Sequence, residues 1–350
     1  MNLIVIILMF GVIIFVHEFG HFIVAKLNHV TVLEFSIGMG PAIVQWERKD
    51  TVYSLRALPM GGYCMMDGDM EASGNPNALN NKPVLVRLLV LLAGPFFNFI
   101  LAFLLSILIC HYYAIDPAEI AYVAEDSAAE EAGLEEGDLI TELNGQKICN
   151  FREITIFRMV ENPKKPVRVT YLRDGEKKTT TVHLKYDEAS GSYMFGIAGN
   201  DRKARGLGEE LKFSLYEVRY NIKAVIASLT MLVKGKAGKD SLMGPVGIGQ
   251  VMNDVIEEAK EDAKKPGGSY LYVFLNIINF VVLISANVGM MNLLPIPGLD
   301  GGRIIFVLFE AIAGRPVPKE KEMAVTVVGV LLLVMLMLFV YFNDITRLFR

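Results

Sequence analysis

Four apolar stretches constrain the fold of this chain more than any other feature, because each is long enough to cross a lipid bilayer. A transmembrane helix needs about 20 predominantly apolar residues, and three of the stretches have no Asp, Glu, Lys or Arg in their interiors. With 53% hydrophobic residues and a mean hydropathy of +0.40, the chain is predicted to be a polytopic α-helical membrane protein. The predicted spans are residues 3–27, 86–113, 271–294 and 324–342.

The first span carries a cluster of ionisable residues, His17-Glu18-Phe19-Gly20-His21, directly after its apolar run. Two histidines four residues apart lie on one helical face, so both can ligate a single metal ion. The glutamate between them can act on a water that the metal activates. Ionisable groups are costly within a span and usually mark a functional site. The sequence therefore predicts a catalytic zinc site at membrane depth.

A catalytic zinc usually has three protein ligands and one open position, so a third ligand is needed. Asp300 is the best candidate, because it follows the third span in a segment where Pro295, Pro297 and Gly298 interrupt the helix. His17 lies about 20 Å along the first span, which places both groups near the same membrane face. A helix-end cap is the alternative role for the aspartate alone. The other histidines, His29, His111 and His183, are poorly placed: just past the first span, at the far end of the second and in the soluble region.

Basic residues on the short loops indicate which side of the membrane each loop occupies. They place the loops after the first and third spans inside the cell, and the polar region from 116 to about 270 outside it. The net charge of −4 does not indicate nucleic-acid binding, and three scattered cysteines indicate neither disulfides nor a Cys-type zinc site. The basic residues concerned are Lys26, Lys82, Arg87, Arg303, Arg315, Lys319 and Lys321. Arg347 and Arg350 at the other end of the fourth span argue slightly against this orientation.

Two segments between the soluble region and the third span are predicted to be helical. Apolar residues recur with helical spacing over 207–234, and a charged, helix-like stretch follows at 251–265. The first helix either lies on the membrane surface and gates access to the site, or packs against the soluble domain or a span; the sequence leaves both open. Its apolar residues are Leu211, Leu215, Val218, Ile222, Val225, Leu229 and Leu232.

Together, HEFGH in the first span and NLLPIPGLDGG after the third resemble the two signatures of the site-2 protease family of intramembrane zinc metalloproteases. The soluble region between spans two and three resembles the bacterial branch that cleaves anti-sigma factors. The resemblance covers nearly the whole chain in the same order. It implies one Zn²⁺ bound by His17, His21 and Asp300. Glu18 would be the general base and then the acid that protonates the leaving amine.

Two asparagines are assigned to substrate binding through the same resemblance. Residues 93–98 (AGPFFN) are similar to the GPxxN element of the family, which makes Asn98 a polar partner near the site. An amide that packs helices together is the alternative for this residue. Asn292 resembles an amide that holds substrate backbone in the family.

The loop after the first span is predicted to contain a β-hairpin, with strands over 42–46 and 52–58 and a turn at Arg48-Lys49-Asp50. Glycine-rich segments on either side are expected to bracket these strands. The loop resembles the membrane-associated hairpin of the family, whose edge could hold an unwound substrate by β-addition. An ordinary cytoplasmic hairpin is the alternative.

Residues 118–199 resemble one bacterial PDZ domain. The pattern predicts a short helix that Gly133 ends and a turn at Gly137-Asp138. The expected organisation is a membrane core (1–115), the PDZ-like domain (116–200), an amphipathic helix with linker (201–269) and a second membrane core (270–350). Whether the domain binds peptides or excludes bulky substrates stays open. Two Asx-Gly turns are predicted at 144–145 and 174–175, the second between strands 167–173 and 178–184.

The predicted function is that of a multi-pass cell-membrane zinc endopeptidase, with its active site towards the cytoplasmic side. The resemblance implies that it cuts transmembrane segments of single-span proteins such as anti-sigma factors and signal-peptide remnants. A PDZ-bearing membrane adaptor without proteolytic activity is the alternative. A metal transporter is disfavoured, because the spans show one compact metal site and no inverted repeat.

Overall fold

The computed structural model describes residues 2–69, 71, 73–235, 245–265 and 269–348. The helices are α1 (Asn2–Leu27), α2 (Val84–Tyr112), α3 (Ala128–Glu131), α4 (Arg152–Val160), α5 (Leu207–Val233), α6 (Pro245–Lys264), α7 (Tyr270–Asn292), α8 (Asp300–Ala313) and α9 (Lys319–Leu348). The strands are β1 (Val32–Arg48), β2 (Thr51–Met66), β3 (Ile120–Val123), β4 (Leu139–Leu143), β5 (Gln146–Lys147), β6 (Val167–Arg173), β7 (Glu176–Val182), β8 (Lys185–Asp187), β9 (Ser192–Met194) and β10 (Ile197–Gly199).

The chain forms two compact units, one of Met1–Leu105 with Asp240–Arg350 and the other of Ser106–Lys239. The first unit therefore joins the two ends of the sequence, and the second is the polar region between them. The first unit carries both motifs that the sequence singles out. Parts of the predicted linker, residues 236–244 and 266–268, lie outside the described residues.

Four helices in the described part of the chain are long and apolar enough to cross a membrane: α1, α2, α7 and α9. The four predicted spans are therefore helices, with ends that differ from the predicted ones by a few residues. In α9 the apolar core is extended at both ends by polar turns, so the helix is longer than the predicted 324–342. In the first unit, Met252 and Ile256 of α6 pack with Met9 and Ile13 of α1 in one buried cluster.

The hairpin after α1 is much longer than the sequence predicts. β1 and β2 pair antiparallel from Val32↔Met66 outward to Arg48↔Thr51. The expectation that glycine segments bracket short strands was wrong. Gly38, Gly40 and Gly61 adopt positive φ values of 85°, 83° and 94°, and the pairing register shifts around them. Glycine accepts this backbone without steric cost, so the strands continue through the glycines as bulged strands.

The chain breaks its helical path between α7 and α8, as the prolines predict. α7 ends at Asn292 and α8 begins at Asp300; α8 itself was not predicted. The break is compact, because Gly301 and Gly302 lie against the backbone carbonyls of Leu294 and Ile296, where a Cβ would overlap them. The tight turn therefore fixes where the first residue of α8 sits.

The second unit is built on a four-stranded sheet of order β5-β4-β6-β7. Both predicted Asx-Gly turns form: Asn144 and Gly145, and Asp174 and Gly175, all have positive φ, as type I′ hairpin turns require. β6 has the predicted bounds, whereas β7 begins two residues earlier than predicted.

Helix α5 forms over the predicted amphipathic stretch and packs within the second unit. Glu153 of α4 is fully buried and accepts hydrogen bonds from Arg219 (2.6 Å) and Lys223 (2.7 Å) of α5. Val218 and Val225 are buried, whereas Leu215 is exposed. The contacts with Glu153 pack α5 against α4 of the second unit, and the role of the helix in gating access to the site stays a prediction.

Candidate metal centre and active site

The two histidines of the motif converge on one point because they lie one helical turn apart on α1. Both side chains are buried, and their Nε2 atoms are 3.3 Å from each other. Gly20, on the same turn, lets α1 approach α2, because a Cβ at this position would meet the Ala93 carbonyl oxygen at 2.5 Å. The motif is therefore pressed against the second helix.

Asp300 completes the cluster from the other end of the chain. Its Oδ2 atom lies 3.1 Å from His17 Nε2 and 3.4 Å from His21 Nε2. The three donor atoms lie within 4.8 Å of one another, and this is the one such metal-compatible group found among the described residues. Two imidazole nitrogens and a carboxylate oxygen form a donor set that catalytic zinc takes. The residues present therefore fit zinc, as the sequence predicts.

Two groups on α2 orient the imidazoles. His21 Nδ1 lies 2.7 Å from the Val90 carbonyl oxygen, which can only accept, so the proton is on Nδ1 and Nε2 keeps its lone pair for a metal. His17 Nδ1 lies 3.2 Å from Asn98 Nδ2. The Asn98 Oδ1 atom is buried without a partner in the described structure. Rotating the Asn98 side-chain amide by 180° places its Oδ1 atom next to His17 Nδ1. Oδ1 then accepts a hydrogen bond from Nδ1–H, so that His17, like His21, keeps the lone pair of Nε2 for a metal.

In this structure Asn98 contacts His17, and its predicted role in substrate binding stays a prediction. Its side chain is fully buried and does not line the cavity beside the cluster. Ser285 of α7 donates a hydrogen bond of 2.9 Å to the Asn98 backbone carbonyl, which ties this part of α2 to the third span. The position of Asn98 fits a residue that orients His17.

Glu18 faces a cavity next to the three donors. Its Oε2 atom accepts a hydrogen bond of 3.0 Å from the backbone N–H of Cys64 on β2, so the hairpin fixes this carboxylate. Burial raises the pKa of the Cys64 thiol to about 12, and the Glu18 charge adds to the effect. The cavity is lined by Ile14, His17, Glu18, His21, Tyr63, Cys64, Met66, Val288, Asn292, Gly298, Leu299, Asp300 and Arg303.

Two contacts in the site lie beyond the reach of sequence reasoning. The Val90 carbonyl and the Cys64 N–H are backbone groups, which carry no residue signature. Arg303, one turn after Asp300, lines the cavity and forms an ion pair with Asp69. Its spacing from Asp300 was a usable signal, because residues three apart on a helix share a face. Asn292 lines the cavity, so its position is compatible with a contact to substrate.

Among solved structures, the chain is similar to the PDZ domains of two SdrC-like proteins from Listeria. For the Listeria monocytogenes domain the identity is 23%, the TM-score is 0.22, and the match covers 24% of this chain and 87% of that one. For the Listeria innocua domain the identity is 23%, the TM-score is 0.23, and the match covers 25% of this chain and 97% of that one.

Curated relatives match the chain along its whole length. A protein of Clostridium acetobutylicum with a zinc-metalloprotease name is 36% identical over 344 residues, covering 98% of this chain and 97% of that one. A protein of Fusobacterium nucleatum with a similar name is 34% identical and is covered in full. The regulator of sigma-W protease RasP of Bacillus subtilis is 28% identical, with 98% of each chain covered.

The model of peptidase family M50 matches residues 5–336. This match spans nearly the whole chain, including both motifs and the region between them, and it confirms the resemblance to the site-2 proteases. An adaptor without proteolytic activity is not supported by these matches. The chain therefore belongs to peptidase family M50 and is a zinc metalloprotease.

Proposed function

We propose that this protein is an intramembrane zinc endopeptidase, in which His17, His21 and Asp300 hold the zinc and Glu18 is the general base. The observation that carries the proposal is the meeting of the three donors beside Glu18, on helices from opposite ends of the chain. The helix that supplies two of the donors is apolar and long enough to cross a membrane. Substrates that reach this cluster are therefore peptide bonds within transmembrane segments.

Hydrolysis of a peptide bond adds water across the C–N bond, so one proton must leave the water and one must reach the departing nitrogen. When bound, zinc supplies a Lewis acid that polarises the scissile carbonyl and makes water easier to deprotonate. Glu18 accepts the water proton and delivers it to the amine nitrogen as the C–N bond breaks. The Cys64 N–H holds Glu18 Oε2, which leaves Oε1 free to carry the proton.

A helical substrate hides its carbonyls in hydrogen bonds, so it must be extended before attack. We assign this task to the hairpin and Asn292. β1 and β2 pair only with each other among the described strands, so each has an edge that can accept an extended peptide. β2 passes close to the base, since a Cβ on Gly62 would lie 3.6 Å from Glu18 Cγ. A peptide added to the hairpin then runs past the cluster, with the Asn292 amide available for its backbone.

The proposed substrates are single-span membrane proteins such as anti-sigma factors and remnants of signal peptides. Support comes from the relative named regulator of sigma-W protease and from the paired motifs. We further propose that the second unit is a PDZ-like domain on the outer side of the cell membrane. The basic residues of the loops after α1 and α7 then face the cytoplasm, and the active site lies towards that side.

The experiment that tests the proposal replaces Glu18 by Gln, which keeps the shape of the side chain but removes the proton acceptor. A membrane-spanning reporter is co-expressed with the wild type, with Glu18→Gln and with Glu47→Gln, a control on an exposed carboxylate of the hairpin. We expect cleavage by the wild type and the control, none by Glu18→Gln, and equal zinc content in all three. Cleavage by Glu18→Gln at the wild-type rate would overturn the proposal.

A further inference from the structure

Helix α8 carries Asp300 at its first position but is held by few packing contacts. Of its 14 residues, three are buried: Gly301, Gly302 and Val307. Two of these lack side chains, and the apolar residues of the last two turns, such as Phe309 and Ile312, are exposed. Apolar burial alone therefore does little to set the direction of this helix, although a metal ligand must be held within a few tenths of an ångström.

An ion pair holds the far end of α8 against α2. The Arg87 guanidinium donates two hydrogen bonds to the Glu310 carboxylate, at 2.8 and 2.5 Å. The two side chains are 14% and 20% exposed, so solvent screens the pair only partly. A bidentate Arg–carboxylate pair fixes both distance and orientation. Glu310 is in the last turn of α8 and lies about 15 Å along the helix from Asp300. The left-handed Gly314 caps the helix directly after this turn.

The partner helix is the one that orients the other two donors. Arg87 lies one turn before Val90, whose carbonyl accepts a hydrogen bond from His21 Nδ1, and Asn98 contacts His17 further along α2. α2 therefore touches each element of the cluster: both histidines through hydrogen bonds, and the helix of the third donor through the ion pair. The ion pair between Arg87 and Glu310 joins parts of the chain that are 223 residues apart.

We propose that Arg87 and Glu310 form a positioning pair: the turn before α8 fixes the position of Asp300, and the pair sets the direction of α8 and with it the direction in which the Asp300 carboxylate faces the histidines. The inference rests on the proposed metal site. Neither Arg87 nor Glu310 lines the cavity beside the three donors. The pair acts through α8 as a rigid helix. Without the pair, α8 would be able to rotate about the Pro-Gly break that precedes Asp300.

The test measures zinc affinity by chelator competition in the purified full-length protein. Glu310→Arg and Arg87→Glu each place like charges opposite one another, and we expect each to lower zinc affinity about 10- to 100-fold, as losses of groups that orient ligands do. The double variant Arg87→Glu/Glu310→Arg restores an opposite-charge pair, and we expect it to recover most of the affinity. Single variants that retain wild-type affinity would overturn the proposal.

A second measurement separates positioning from general loss of folding. The visible absorption of the cobalt-substituted protein reports the ligand geometry, and the single variants are expected to shift it towards the spectrum of Asp300→Ala. The matched control reverses Arg202 in the pair Arg202–Glu209, an equally bidentate pair of the second unit, and should leave affinity and spectrum unchanged. Equal losses in the Arg202→Glu control would also overturn the proposal. Failure of the wild type to bind zinc would refute the metal site itself.

Discussion

Replacing Gly94 by Ala should damage the metal site directly, because the added methyl group would meet both imidazoles. Gly94 lies in the interior of α2, where alanine is normally favoured by about 0.5–1 kcal/mol. Here an added Cβ would overlap the Nε2 atom of His21, and would lie 2.7 Å from its Cε1 and 2.8 Å from the Cε1 of His17. Overpacking of this kind costs about 1–3 kcal/mol, so the net loss of stability should stay below about 2.5 kcal/mol.

The effect on zinc should be much larger than the effect on folding. To admit the methyl group, His21 must turn away from the Val90 carbonyl, which gives up a hydrogen bond worth about 1 kcal/mol and moves a proposed ligand off the site. We therefore expect zinc affinity to fall by at least about 100-fold, the upper end of the range for displaced orienting groups.

Chelator competition on the purified protein measures this loss, and thermal unfolding of the zinc-free protein measures the cost to folding. Gly249→Ala is the matched control, because it also adds a methyl group to a helix of the first unit, but at an ordinary contact distance of 3.6 Å from Ile6. The control should keep wild-type affinity. Wild-type affinity in Gly94→Ala would refute the placement of the imidazoles against α2.

Three further outcomes are expected. Asn98→Leu should lower zinc affinity about 10- to 100-fold, whereas Asn98→Asp, which can only accept from His17, should retain it; the reverse order in a competition assay would contradict the assigned amide orientation. Gly175→Ala should lower the Tm of the second unit by about 4–8 °C, since a left-handed residue with a side chain costs about 1–2 kcal/mol. An unchanged Tm in calorimetry would contradict this expectation. Zinc at 100 times its Kd should stabilise the wild type by about 2.7 kcal/mol, while Asp300→Ala should gain nothing in the same melt.

The parts of the fold that follow from local rules are predictable from the sequence. The four spans follow from apolar length alone, and the Asn144-Gly145 and Asp174-Gly175 turns follow from the backbone preferences of these residues. The pairing of Asp300 with His17 and His21 was also predictable, because a catalytic metal needs a third ligand and the proline-rich break marks a site at membrane depth.

The remaining features depend on tertiary contacts that no local pattern encodes. The hairpin strands run through Gly38 and Gly61, because pairing with the opposite strand outweighs the weak strand preference of glycine. The orientation of His21 depends on a carbonyl at Val90 that any residue could supply. The pair between Arg87 and Glu310 joins distant segments of the chain. Neither charged residue belongs to a sequence motif, so the pair can be recognised only once the fold is known.

X-ray absorption at the zinc edge of the zinc-bound Glu18→Gln protein tests the central claim most directly. It measures which atoms bind the zinc and at what distance, and the inactive variant removes any contribution from turnover. We expect one zinc per chain, with nitrogen and oxygen ligands at about 2.0–2.2 Å and no sulfur. Sulfur at about 2.3 Å, which Cys64 in the cavity wall could supply, would contradict the proposed ligands. Equal zinc binding after replacement of Asp300 by Ala would contradict them as well.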